Sequence, residues 1–310
     1  LWCAIAQGGQ LGGQPGSPWR MGLGADRVAM GDCGVALTNN SAPWYYNPAA
    51  LPHLLQRQVT AGYRWMSLDR SIGNISFAMP AKPNGGVALG VVYAGFGEVD
   101  GRDSNGEHFD NIGYYESLIH GSFALKPRAW VSVGLTIKFY MNSVSNIKDN
   151  GGDLSSSGLG LDFGTLFQIR PDLSAGLQVR DIGGRSVWDA TDVWLDGAGS
   201  KDDNFPQTGR FGLAWRSRPD LLLTGETVLN LNDLNEGSEA VRPHLGGEWS
   251  RVFPEGYILA LRAGYNGDAP SFGLGLTLPM KQVRIRFDYA FRVETTAPGG
   301  AHLAGWVFEL

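Results

Sequence analysis

Between Arg57 and Leu310 apolar and polar residues alternate in fourteen separate segments, a period that suits a half-buried strand and no helix. KQVRIRFDYAFRV shows it most clearly: Val283, Ile285, Phe287, Tyr289 and Phe291 fall on one face, Arg284, Arg286, Asp288 and Arg292 on the other. A soluble sandwich would bury the first face between two sheets. A membrane barrel would turn it outward to lipid. The apolar face recurs through Val87, Leu89, Val91 and Tyr93, through Val131 to Phe139, and through Phe272 to Leu278. Segments of about ten residues with aromatics near their ends match a tilted strand crossing the hydrocarbon layer.

The connections alternate in length. Six are short and contain a proline: Pro83, Pro127, Pro171, Pro219, Pro254 and Pro279. Between them lie long polar stretches such as GEVDGRDSNGEHFDNI and DIGGRSVWDATDVWLDGAGSKDDNFP, with tight exceptions at Leu68-Asp69 and NGDAP. Short turns on one rim and long loops on the other are the habit of outer-membrane barrels. An even strand number then predicts both termini on the short-turn, periplasmic side. The chain ends in strand, AHLAGWVFEL, where Gly305, Phe308 and Leu310 form a partial match to a barrel-assembly signal, with Leu303 at a position that usually prefers a polar residue. A last strand that ends inside an apolar belt must pair with the first.

With 45 glycines and only 18 % charged residues in 310, one large β architecture fits better than two domains. A net charge of -5 gives no reason to expect nucleic acid. LWCAIAQ reads as the remnant of a signal peptide over residues 1–6, with an ordinary tail and a lipoprotein signal ending at Cys3 as alternatives. Cys33 then remains as a single, buried thiol. Residues 7–56 form an N-terminal segment and residues 57–310 the barrel. Within the former, GVALTNNSAPWYYNPAALPHL reads as a short helix and a turn. Fourteen strands enclose a lumen too wide for its own side chains to fill, so Met21 to Leu54 is expected to plug it. The fold class predicted is therefore an all-β, up-and-down antiparallel transmembrane barrel of fourteen strands with a small helical plug.

The inward positions mix both signs: Lys138, Asp162, Arg180, Arg210, Glu226, Arg242, His244, Glu248, Arg262, Arg284, Arg286 and Asp288. Such a mixture suits a pairing network better than a one-sign filter. His120 and Ser122 both face the lumen without a carboxylate or amide to orient a base, so no catalytic residue is assigned. The five histidines lack zinc-ligand spacing. Asp100, Asp103, Asn105 and Glu107 lack the glycine and spacing of an EF-hand loop, so no metal or other cofactor is expected.

The run GLGADRVAMGDCGVALTNNSAPWYYNPAAL resembles the N-terminal hallmark of the PorV/PorQ family, itself related to FadL-type fatty acid transporters. The matching residues are Gly24, Ala25, Arg27, Met30, Gly31, Tyr45, Tyr46, Asn47, Pro48, Ala49 and Leu51; Asp26, Asp32-Cys33 and Ala50 depart from it. The resemblance implies a plugged barrel in the outer membrane of a Bacteroidota-like bacterium. It would be surrounded by phospholipid and lipopolysaccharide, and would act in type IX secretion by binding the C-terminal signal domain of cargo beside the translocon. The alternative it carries is a FadL-like transporter that passes long-chain fatty acids or other hydrophobic small molecules through the barrel wall. Charged lumen residues are poor company for an acyl chain, which favours the first. Trp188, Trp194 and Asp196 in the longest loop are candidate partner contacts, with packing inside the loop as the plainer explanation.

Overall fold

A computed structural model describes residues 14–103, 105–147, 153–189, 201–232, 241–280, 283–295 and 299–310. The expected signal remnant therefore lies outside the described residues. Fifteen strands follow one another: β1 (Gln58–Trp65), β2 (Ser71–Ala81), β3 (Gly85–Arg102), β4 (His108–Arg128), β5 (Val131–Ser145), β6 (Leu154–Arg170), β7 (Leu173–Asp189), β8 (Lys201–Asn204), β9 (Thr208–Arg218), β10 (Leu221–Asn230), β11 (Val241–Val252), β12 (Ile258–Tyr265), β13 (Pro270–Pro279), β14 (Arg284–Val293) and β15 (Gly300–Glu309). Each pairs antiparallel with the next, except that β8 binds only the outer end of β7, which then pairs with β9. Fifteen less β8 leaves fourteen, closed by β1 on β15 with Gly62 opposite Gly305.

Alternation sets the two surfaces. On β5, Ile137 is 53 % exposed on the outside, whereas Lys138 beside it is 0 % exposed inside. Outward Leu89, Phe123, Leu161, Leu213, Leu261 and Leu274 repeat this around the wall. Aromatic residues mark both rims: Trp215 and Trp249 donate indole N–H groups to Asp172 and Asp220 at short turns, and Tyr93 stacks on Tyr115 towards the other end. The Leu68-Asp69 turn has φ of 62° and 52°, the geometry of a two-residue hairpin turn whose twist matches its strands.

The wall is uneven in height. β3, β4, β5, β6 and β7 have 18, 21, 15, 17 and 17 residues, against 8 to 12 in β9 to β15. Much of the stretch expected as a loop after Gly95 is therefore a strand extension. A bulge between Gly95 and Glu98 shifts the register there, which breaks the apolar alternation while the ladder continues.

The N-terminal segment lies inside the barrel as a 3-10 turn (Ser17–Arg20), α1 (Ala25–Val28), α2 (Pro43–Tyr46) and a second 3-10 turn (Pro48–His53). The short helix and turn expected over Gly34 to Leu54 are α2 and the second 3-10 element, and two further short elements precede them. Elements this short cannot hold themselves together, so the wall shapes them. The chain winds around the lumen with its backbone against inward glycines. A methyl on Gly176 would overlap the Val35 carbonyl, and one on Gly134 would lie 2.6 Å from Ala49 N. The 45 glycines are in part seats for the plug.

Candidate functional site

Ion pairs and hydrogen bonds fasten the plug to the wall in three clusters. In the first, α1 presents Asp26 and Arg27 to β11, β12 and β14. Asp26 Oδ2 lies 3.2 Å from both Arg27 Nε and Arg286 Nη2. It also accepts Ser41 N at 3.1 Å, while its other oxygen takes the Ser41 hydroxyl. Arg262 reaches Glu248 and Asp288 at 2.6 Å each, and Arg286 reaches Asp288 at 2.8 Å. Three guanidinium groups thus face three carboxylates. Burial alone would raise the Asp26 pKa, but Arg27, Arg286 and Arg262 with the Ser41 hydroxyl outweigh it and hold the group well below the usual carboxylate range.

In the second cluster the loop after α1 is clamped between strands. Glu226 accepts Gly34 N at 2.9 Å and Val35 N at 3.1 Å and pairs with Arg210 at 2.8 Å. His244 Nδ1 lies 2.7 Å from the Gly31 carbonyl, and Arg292 pairs with Asp32 at 3.0 Å. Gly31 has φ 67°, and a side chain there would also press on the Leu245 and Tyr265 carbonyls. The third cluster lies on β5 to β7, where Lys138 binds Asp162 at 2.7 Å and Asp181 at 2.9 Å. Arg180 donates to the Trp19 carbonyl at 2.9 Å and sits 4.1 Å over the Tyr45 ring.

The remaining motif residues pack the plug against itself and the wall. Gly24 precedes α1 with φ 76°, Ala25 packs against Leu303, and Met30 is fully buried. Tyr45 accepts Gly22 N at 3.1 Å, and Tyr46 donates to the Leu23 carbonyl at 2.9 Å. Asn47 donates to Val35 O and Thr165 O, and the carbonyl of Ala49, next to Pro48, accepts the Ser132 hydroxyl. His120 stacks on Trp44 at 3.5 Å. Asp103 caps its own turn through Asn105 N and Glu107 N, and Asp100 binds Arg102 and His108.

Two expected members of the lumen network belong elsewhere. Arg242 pairs with Asp268 at the long-loop rim, and Arg284 is exposed at the short-turn rim, 3.4 Å from Glu309. Both have the inward parity but lie beyond the plug's reach, because parity fixes side and not depth. Trp188 is half-buried and donates its indole N–H to Asp203 at 2.8 Å, while Trp194 and Asp196 lie outside the described residues. In β15, Gly305 pairs with Gly62 and Asp288, Phe308 with Val59 and Ile285, and Leu310 N donates to Arg57 O at 2.8 Å.

Sequence reading missed Asp26, Asp32, Arg64, Asp181 and Arg292. Arg64 donates to the Met21 and Gly22 carbonyls at 2.8 and 3.0 Å. A signal was present in the inward set itself, which holds seven Lys and Arg against four Asp and Glu. Asp26, a departure from the family-like motif, meets part of that excess through Arg286, and Asp32, another departure, meets Arg292 outside the set.

Two of the openings beside the plug contrast in their lining. A cavity of about 310 Å³ lies at the plug's short-turn end, lined by Leu37, Leu222 and Ile258 on one side and by Arg27, Arg262 and Arg286 on another. A far smaller pocket lies at the seam of β15, β1 and β2, where plug residues Gly22 to Ala25 meet Gly62, Ile72 and Leu303 and the outward-facing Tyr63 and Ala304.

No family model matches the sequence, and no curated protein matches it either. Solved structures do. The Ralstonia pickettii toluene transporter TbuX superposes over 93 % of this chain and 97 % of its own with a TM-score of 0.64 at 14 % identity. The Pseudomonas putida toluene transporter TodX covers 93 % and 96 %, with a TM-score of 0.61 at 11 % identity. A Pseudomonas aeruginosa FadL homologue covers 92 % and 96 %, with a TM-score of 0.58 at 10 % identity. The closed fourteen-stranded wall and short internal helices are thus the fold of the FadL-like outer-membrane barrels of Gram-negative bacteria.

Proposed function

We propose that the protein carries hydrophobic small molecules across the outer membrane, with its short turns in the periplasm and no chemistry of its own. The observation that carries this reading is the seam pocket. There the plug backbone meets Gly62, Ala304 and Leu303, small or apolar residues of the wall, with Arg64 and Asn74 as the polar part of the lining and, among the described residues, no ion pair across it. A hydrophobic solute leaving sideways enters hydrocarbon, gaining about 25 cal/mol per Å² of apolar surface removed from water. A solute leaving through the floor would pass the Arg27, Arg262 and Arg286 cluster, where apolar surface gains nothing. The names of TbuX and TodX as toluene transporters agree with such cargo.

The test is a reversible lock. A side chain on Gly305 would place its Cβ 3.7 Å from that of Ala25, within the range a disulfide needs. Cells carrying the Ala25→Cys/Gly305→Cys variant, and lacking other barrels of this kind, should take up labelled toluene or oleate only after reduction. Equal uptake in both states would sink the lateral route, and no uptake above barrel-free cells would sink transport.

A second reading, a shuttle in type IX secretion, is favoured by the plug motif and by a lumen crossed by ion clusters. Mild extraction from the host followed by mass spectrometry separates the two. A translocon barrel or secreted proteins sharing a C-terminal domain would support the shuttle, and a lone barrel loaded with a hydrophobe the transporter.

A further inference from the structure

Two neighbouring turns on the short-turn rim carry cations without a carboxylate. Lys82, Pro83 and Asn84 join β2 to β3, while Lys126 and Arg128 lie at the end of β4. Lys126 N donates to the Asn84 carbonyl at 2.7 Å, which holds the turns side by side. With Pro52 from the plug they border a pocket of about 420 Å³ that all three cations line and no acidic residue does. Three other cations on the same rim have a carboxylate at hand, Arg170 with Asp172 at 3.1 Å, Arg218 with Asp220 at 3.4 Å and Arg284 with Glu309 at 3.4 Å, while Arg216 and Arg251 stand singly, on the Pro219 carbonyl and the Phe253 ring. Among the described residues, Lys82, Lys126 and Arg128 form no such pair. Like charges gathered around one opening repel each other, and a bound anion relieves that repulsion.

The wall directly beside the pocket turns apolar. Leu125 and Phe123, next along the outer face of β4, are 46 % and 50 % exposed. Trp130, in the turn after Arg128, stacks on Phe167 with ring centroids 6.3 Å apart. An interfacial tryptophan sets this pocket at head-group depth. A free anion would use only the polar half of this surface. We propose that the rim is a binding site for an anionic diacyl phospholipid, its phosphate held by Lys82, Lys126 and Arg128 and an acyl chain lying along Leu125 and Phe123. The head group would then rest against Pro52, in the last turn of the plug. The site needs only the wall's place in a membrane and is independent of what passes through the lumen.

Native mass spectrometry of the purified full-length barrel, titrated with dioleoyl phosphatidylglycerol, dioleoyl phosphatidylcholine, lipid A or inorganic phosphate, tests it. Phosphatidylglycerol should be retained about tenfold more tightly than phosphatidylcholine, and Lys82→Gln/Lys126→Gln/Arg128→Gln should remove that preference. Arg170→Gln/Arg218→Gln should leave it within about twofold, since those cations are already paired. Equal retention of the two phospholipids, or an unchanged preference in the triple variant, would overturn the site. Tighter, triple-variant-sensitive retention of lipid A would overturn the phospholipid assignment and place this rim in the outer leaflet. Displacement of the lipid by millimolar phosphate would reduce it to an anion site. Heat-modifiable gel mobility reports whether the triple variant has folded. Should it fail, Lys82→Gln alone, in an exposed turn, should lower the preference about threefold.

Discussion

Asp26→Asn removes one charge and almost no volume from the most densely bonded point of the plug. The carboxylate is fully buried, with Arg27 and Arg286 each at 3.2 Å and Ser41 donating from both backbone and side chain. The variant leaves three guanidinium groups facing two carboxylates. Removing one partner from a buried pair costs about 3–5 kcal/mol, because the other charge stays buried without compensation. At about 1.4 kcal/mol per factor of ten, the equilibrium between seated and displaced plug should move by at least a hundredfold. In planar bilayers the native protein should be almost closed to ions, and the variant should open often enough to count single events. Arg286→Gln in the same chain should restore part of the closure, since it removes the charge left over. Because the Asp26 pKa is depressed, the anchor is complete above the ordinary carboxylate value of 3.8 and is lost only as the pH falls through the lower, folded value. Closure of the native protein should therefore persist at pH 5. A variant as silent as the native barrel, with no effect of Arg286→Gln, would refute the claim that this cluster seats the plug.

Gly176→Val would drive a side chain into the Val35 carbonyl; overpacking of this kind costs about 1–3 kcal/mol, so conductance should rise while the circular dichroism of the strands stays unchanged. His53 has its pKa lowered to about 4 by burial and by Lys126. The unfolded chain therefore binds the extra proton between about pH 4 and 6.5, where stability should rise with pH, and His53→Gln should flatten that slope in urea titrations. Ile137→Arg on the outer face should weaken folding into bilayers by about 2–4 kcal/mol if the residue meets hydrocarbon; a negligible change would mean that this face meets water.

The wall was legible because a two-residue period says which face each side chain takes, and β5 and β14 follow it through Val131 to Phe139 and Ile285 to Phe291. Its height was not, because the extensions of β3 and β4 beyond Gly95 hold backbone ladders with polar residues on both faces, which read as loop. The plug's place was legible from the need to fill a wide lumen, but its fastening was not. Asp26 pairs with Arg286, 260 positions away, and Arg210 with Glu226 only across adjoining strands; no spacing along the chain encodes the first of these. Leu303 shows the same limit. Its apolar side chain, unexpected beside Gly305, is explained by contact with Ala25 and Val28 of α1, a neighbour in space alone.

Those contacts also bear on how charge and a hydrophobic cargo can share one lumen. The ion clusters present little unmatched charge, because the wall charges are paired with one another or with the plug: Arg286 with Asp26 and Asp288, Glu226 with Arg210 and two plug amides. The charged lining therefore counts against an exit through the floor and not against an apolar solute that leaves at the seam. α1 is the joint between two kinds of contact. Asp26 and Arg27 are held by charge, whereas Ala25, Val28 and Ala29 lie on Ala290, Ala301 and Leu303 with little surface to lose. Parting the seam exposes a few short alkyl groups and breaks the two Arg64 bonds to the Met21 and Gly22 carbonyls, which water can replace; parting the ion pairs strands buried charge. The plug should accordingly yield first at the β15–β1 seam and last at Arg286. A disulfide between positions 25 and 305 should then stop uptake without altering ion closure, whereas Asp26→Asn should open the barrel to ions. If both changes acted alike on both readouts, the seam and the anchor would be one device and the lateral route would lose its structural basis.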